Sequence, residues 1–260
     1  MTYFSWHPLC TGCAPHVHRV STLRGTVASA LLTCSVAIGL TLPVAATGQT
    51  SQTFTLPEGC DAYLTVQSAS CQVDHHFTCV GDPEGHKRRV SFDEEAMTYF
   101  GTIDNETQWV GSFHPLTGHS EELEESPVDP ASFSELIETG RDSYDFKTLS
   151  EEIGTTRYVG ADELTGNTIT IDDVTLEETN YQITAYDEAG DEMWSSKGQE
   201  YINRNWRMFM AGTGVITVPG DTFEKNDTPV EFIYPGERGF LSINPKHGCG
   251  VVMSSFGVLQ

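Results

Sequence analysis

The chain has 260 residues, with 14 Lys and Arg against 37 Asp and Glu and a formal net charge of −23. Such a surface repels nucleic acid and anionic lipid, which excludes counterion-release binding to DNA as a main activity. Aromatic and β-branched residues run through the whole sequence, so the charge does not spell disorder.

The N-terminus sets the expected compartment. Arg19 and Arg24 precede "GTVASALLTCSVAIGLTLPVAA", an uncharged and mostly apolar run that ends in Val44-Ala45-Ala46. Small residues there suit signal peptidase, so residues 1–46 read as a signal peptide cleaved after Ala46, leaving no stable membrane span. The part before the run is over-long and holds "CTGC" with His7, His16 and His18, which has the look of a zinc knuckle without a folded domain around it. A true start near Val20 explains it more simply. Residues 47–57 are then a flexible leader and 58–256 a single domain of a periplasmic or secreted protein. Residues 47–260 keep 12 basic against 37 acidic side chains, a net charge of −25.

Strands are expected at "AYLTV" (62–66) and "CQVDHHFTCV" (71–80), then "VSFDEEAMTYFGTI" (90–103) and "TQWVGSF" (107–113) around a "DNET" turn. Residues 118–130 read as an acidic loop. One helix follows at 131–139, with Asp129 as cap, Pro130 in the first turn, Phe133, Leu136 and Ile137 on one face and Gly140 at its end. The remainder reads as short strands, among them "TRYVG", "NTITI", "VTLEETNYQITAY", "EMWSSKGQEYI", "WRMFMAG", "GVITV" and "VEFIY". No second long amphipathic helix is visible. The expected class is mainly β: an antiparallel β meander, sandwich or half-barrel, with one short helix, α+β at most.

Four cysteines follow the apolar run: Cys60, Cys71, Cys79 and Cys249. An even count in an exported chain favours two disulfides. Eight steps of extended strand span roughly 26 Å, and a disulfide needs Cα atoms within about 7 Å, so Cys71 and Cys79 cannot bridge each other. A hairpin centred between Ala69 and Ser70 sets Cys60 opposite Cys79 and leaves Cys71 for Cys249. The alternative pairs Cys60 with Cys71 and Cys79 with Cys249.

His75 and His76 are adjacent, so in a strand they point to opposite faces and cannot share one ion. His86, His114, His119 and His247 fall on expected loops, where they could converge on an ion. No HExxH, paired CxxC, GxSxG, phosphate-binding glycine loop or calcium-loop spacing occurs after residue 46, so no metal, cofactor or catalytic residue is assigned. Acidic pairs are too abundant to single out a catalytic couple. In "WRMFMAG", Trp206, Met208 and Met210 share a face, and "VEFIY" is apolar on both faces. Both strands therefore read as covered on each side. The hypothesis drawn from this is a small-hydrophobe pocket lined by Trp206, Met208 and Met210 beneath the helix.

The stretches "SCQVDHHFTC", "FHPLTGHSEELE", "GRDSYDF", "RYVGADELTG" and "NPKHGCG" resemble a group of uncharacterised exported proteins of alphaproteobacteria, a resemblance that implies no activity. The turn spacing of "YVGADELTG…ITIDDVTLEETNYQITAYDEAGDE" is similar to that of periplasmic lipoprotein-carrier-like half-barrels, which implies a ligand-holding concavity. The functional expectation is a non-enzymatic binding or carrier module for a small hydrophobic ligand or envelope protein. The alternatives are an interaction protein for a basic partner, or a hydrolase without a recognisable motif. Oligomeric state is open.

Overall fold

The computed structural model describes residues 52–250. The expected signal peptide, the first part of the leader and residues 251–256 of the expected domain lie outside the described residues. Among the described residues no helix is long and apolar enough to cross a membrane.

Among the described residues, fourteen strands form one antiparallel sheet. In chain order they are β1 (Cys60–Ser68), β2 (Gln72–Cys79), β3 (Lys87–Phe92), β4 (Met97–Ile103), β5 (Trp109–His114), β6 (His119–Leu123), β7 (Arg141–Ser150) and β8 (Gly154–Ile171). Then follow β9 (Val174–Tyr186), β10 (Glu192–Asn203), β11 (Met208–Met210), β12 (Thr213–Val218), β13 (Asp221–Asn226) and β14 (Pro229–Ile233), with the helix α1 (Phe133–Thr139) between β6 and β7. Sequence neighbours pair from β1 through β10, β14 adds to the free side of β1, and β10 pairs both β12 and the short β11. The expected mainly β meander is what the chain forms. It is not closed into a barrel.

The core shows how the sheet packs on itself. Leu64 and Val66 of β1 and Phe232 of β14 cluster with Leu176 of β9, Tyr201 of β10 and Met208 and Met210 of β11. Strands far apart along the sheet thus meet face to face. Burial of such side chains contributes about 1.5–3 kcal/mol each. A second cluster joins Tyr144, Phe146, Tyr158, Tyr181 and Ile183 of β7–β9.

Several local expectations are corrected. Residues 90–103 are not one strand, because Asp93 accepts from the backbone of Glu95 and Ala96 and turns the chain between β3 and β4. The acidic loop begins later than expected, since His119–Leu123 is β6. "RDSYDFKTLS" and "DTFEKN" are strands, and "TRYVG" and "NTITI" belong to one 18-residue strand, β8. The helix cap is Ser132, which accepts from the Glu135 amide, and Asp129 instead bridges Asp145. Gly140 ends the helix in the left-handed conformation, as expected. In "WRMFMAG" only Met208–Met210 is strand.

Candidate metal centre

The ladder register aligns His76, Arg89, Gly101, Ser112 and Glu121 across β2–β6. Directly paired residues of an antiparallel ladder share a face, so this row projects to one side. There Met208 and Phe209 complete a cavity of about 90 Å³. Gly101 has a specific reason to be glycine: a Cβ would stand 2.1 Å from the Tyr99 hydroxyl. The Tyr99 ring lies in that space, with the Arg89 guanidinium 4.6 Å from its centroid and the His114 ring edge-on at 5.4 Å.

A tight turn brings the chemistry together. β5 ends at His114 and β6 begins at His119, and the Gly118 amide, at positive φ, donates to the His114 carbonyl at 2.7 Å. His114 and His119 are register partners, so their rings stack with centroids 4.5 Å apart. Glu121, two residues on, shares their face. This is the physical sense of the spacing in "HPLTGHSE".

Glu121 is the hub, and it is buried at 5 % exposure. Its Oε1 accepts from Thr148 Oγ1 at 2.6 Å and from the Tyr158 hydroxyl at 3.1 Å. Its Oε2 lies 3.2 Å from His114 Nε2 and 3.8 Å from His119 Nε2. Ser112 Oγ also contacts His114 Nε2, at 3.1 Å. Burial opposes ionisation of Glu121, but the hydrogen bonds from His114, Thr148 and Tyr158 outweigh it and hold the carboxyl below its ordinary value. His119 is pushed down by burial and by His114, against the opposing pull of Glu121 and Glu152.

The His119 ring lies between Thr117 and Glu121. Thr117 Oγ1 donates to the His114 carbonyl and lies 2.7 Å from His119 Nδ1. The Nδ1 edge of the ring thus meets the Thr117 hydroxyl and the Nε2 edge faces the Glu121 carboxylate. Nε2, Nε2 and the carboxylate oxygen lie within 4.8 Å of one another. Ligands about 2.0–2.2 Å from a tetrahedral ion stand roughly 3.4 Å apart, and the two separations from Oε2 bracket that value. Thr117 would be the outer partner that orients the imidazole.

Another grouping, Cys71, Glu94 and Cys249, offers no such ligands because both cysteines are bridged. Cys60 joins Cys79 and Cys71 joins Cys249, with Cα separations of 4.0 and 4.7 Å. Met208 and Met210 are buried in the central cluster, and Trp206 packs on Phe232 at 5.7 Å. Of these three, Met208 alone lines the 90 Å³ cavity. The helix does not roof them: Phe133 and Leu136 pack with Ile202 and Phe209 instead. His75 and His76 point apart and are both buried, His75 against Thr65 and Phe54, His76 beside Tyr63. Sequence reasoning has His114 and His119 as loop histidines that could converge but does not connect them with Glu121, which the structure sets beside them. No protein-family model, curated protein or solved structure matches the chain, so its function is argued from this site itself.

Proposed function

We propose that the protein is an exported, disulfide-stapled binding module that holds a divalent transition-metal ion between His114, His119 and Glu121. The observation that carries this reading is the convergence of His114 Nε2, His119 Nε2 and a Glu121 carboxylate oxygen within 4.8 Å of one another. A cation between them is attracted to the carboxylate and coordinated by the ring nitrogens, which release any Nε2 proton on binding. Two imidazoles and one carboxylate suit zinc and its neighbours, and three protein ligands leave one position for water or a bound molecule. Two disulfides fit an oxidising compartment, periplasmic or extracellular.

The test is titration of chelator-treated, oxidised protein with zinc by calorimetry, followed by cobalt(II) absorption to read the geometry. One equivalent should bind. His119→Ala should lower the affinity about 100-fold while leaving the circular dichroism and both disulfides unchanged. No uptake by folded protein, or equal uptake by the variant, overturns the reading.

A second reading, a site for a small hydrophobic group, is supported by Met208 and Phe209 on the 90 Å³ cavity. That volume suits a few-carbon group, and adaptable methionine suits its irregular surface. Short-chain alcohols should then perturb tryptophan fluorescence saturably, and Met208→Asp should abolish the effect.

A further inference from the structure

A second cavity, of about 60 Å³, lies under the loop between β6 and α1 and uses none of the three metal-site residues. Aromatic side chains make its walls: Trp109, Tyr144, Phe146 and Phe209. Two acids, Asp162 and Glu200, also line it. The register explains their convergence. Glu200 pairs with Thr179, which pairs with Leu164, two residues from Asp162, so both carboxylates share a face. Asp142 is the direct partner of Asp162 on β7.

All three carboxylates are at most 8 % exposed. Asp142 Oδ2 accepts from the Ser132 amide at 2.9 Å, but Glu200 Oε1 is buried without a hydrogen-bond partner among the described residues. Lys225 approaches from β13, where its ammonium lies over the Tyr181 ring and is matched by Asp227 at 3.6 Å. One shared lysine does not balance three acids. Burial, with Glu200 and Asp142 nearby, raises the Asp162 carboxyl well above its ordinary range. Burial also pushes Asp142 up to about 6, helped by Glu135, Asp129 and Glu106 and opposed by the Ser132 amide. Such a group takes up a proton where it lacks another cation.

The walls select among cations. A calcium-like ion needs six to eight oxygen ligands around it, and aromatic faces supply none. A neutral apolar group would leave Glu200 Oε1 unsatisfied, at a cost of a few kcal/mol. An organic ammonium meets both demands, since its charge is attracted to aromatic faces and its N–H groups donate to carboxylates. The loop over the cavity, "EESPVDP", is itself acidic and would draw cations towards the mouth.

We propose that this aromatic and acidic cavity binds an alkylammonium head group, from a small amine or from a lysine side chain. The probe is n-propylammonium chloride, with 1-propanol as the uncharged analogue, followed by Trp109 fluorescence and calorimetry on oxidised full-length protein. Nα-acetyl-lysine methylamide forms the second arm: tighter binding than propylammonium assigns the head group to lysine, weaker binding to a free amine. Propylammonium should saturate and propanol should not. Glu200→Gln, nearly isosteric, should weaken binding about 10-fold or more, and Asp162→Asn should act in the same direction should the first variant misfold. An equal response to propanol, an unchanged affinity in a folded variant, or no saturable binding of either ammonium overturns the proposal. Failure of zinc binding at His119 would leave it untouched.

Discussion

Gly248 lies directly on the carbonyl of Ala69: a Cβ at position 248 would stand 2.0 Å from that oxygen, at a φ of +73°. The adjacent His247 carbonyl accepts from the Cys71 amide at 2.8 Å. The C-terminal segment therefore seats on the β1–β2 turn before its cysteine is considered at all.

Gly248→Ala should cost about 2–4 kcal/mol, the left-handed backbone supplying 1–2 of that and the displaced turn the rest. Urea denaturation of the oxidised protein measures it. A loss below 0.5 kcal/mol would show that the segment can lift without penalty.

The two bridges should differ in worth. Cys60 and Cys79 are 19 residues apart, Cys71 and Cys249 are 178 apart. Loop-closure entropy gives about 3 kcal/mol for the short loop and about 5 for the long one. Replacing both cysteines of the long bridge by alanine should therefore destabilise by about 2 kcal/mol more than replacing the short pair. Parallel chemical denaturation of the two double variants decides the order.

Acid should act through His76. Burial, with Arg89 adding to it, pushes this imidazole down to about 3, whereas in the unfolded chain it titrates near 6.5. Its contribution is fully present above the unfolded value and is lost as pH falls through the window between about 6.5 and 3, at about 1.4 kcal/mol per unit. His75, pushed down to about 4 mainly by burial, acts with the same sign, and Asp142, raised to about 6, acts with the opposite sign. A comparison of wild type with His76→Gln cancels both. Between pH 7.5 and 4.5 the variant should lose about 2–3 kcal/mol less than the wild type, read from denaturation midpoints at each pH.

Thr117→Val should separate orientation from ligation. Thr117 is exposed, so the fold should be unaffected, but His119 Nδ1 loses its 2.7 Å partner. Zinc affinity should fall 10–100-fold with an unchanged metal-free melting temperature. Unaltered affinity would mean that the ring is held by its stacking on His114 alone.

The legible parts of the sequence were those with unambiguous periodicity. Cys60 and Cys79 fall opposite each other as counting about residues 69 and 70 predicts, although the three-residue turn at 69–71 centres the inner register on Ser70 and the bulge between Ala62 and Leu64 brings the two cysteines into line. The helix face at Phe133 and Leu136 was equally plain, though Ser132 rather than Asp129 does the capping. β7 was hidden because its inward positions include Asp142 and Thr148 beside Tyr144 and Phe146, so apolar alternation is broken by polar residues that find buried partners. β13 was hidden because it is an exposed edge, polar on most positions, and reads as a turn. The grouping of His114 and His119 with Glu121 was not legible for a related reason. Only when "PLTG" closes a tight turn do His114 and His119 become neighbours, and reading 118–130 as loop removed Glu121 from their face. The helix was placed over Met208 because periodicity tells which residues share a face, not which face a distant element will cover. Phe209 is the one that meets it.

The pairing of β1 with both β2 and β14 has a kinetic corollary. During synthesis β1 can form its hairpin at once, but its other edge stays open until residues 229–233 arrive. An open edge in a partly made sheet invites association with other chains. Four cysteines permit three pairings, yet the hairpin brings Cys60 against Cys79 early. With that local bridge closed, Cys71 has one remaining cysteine of this set to meet, and it is carried by the segment that arrives after β14. The last covalent step thus coincides with completion of the edge, so that the oxidised 71–249 bond records that the whole sheet has been assembled.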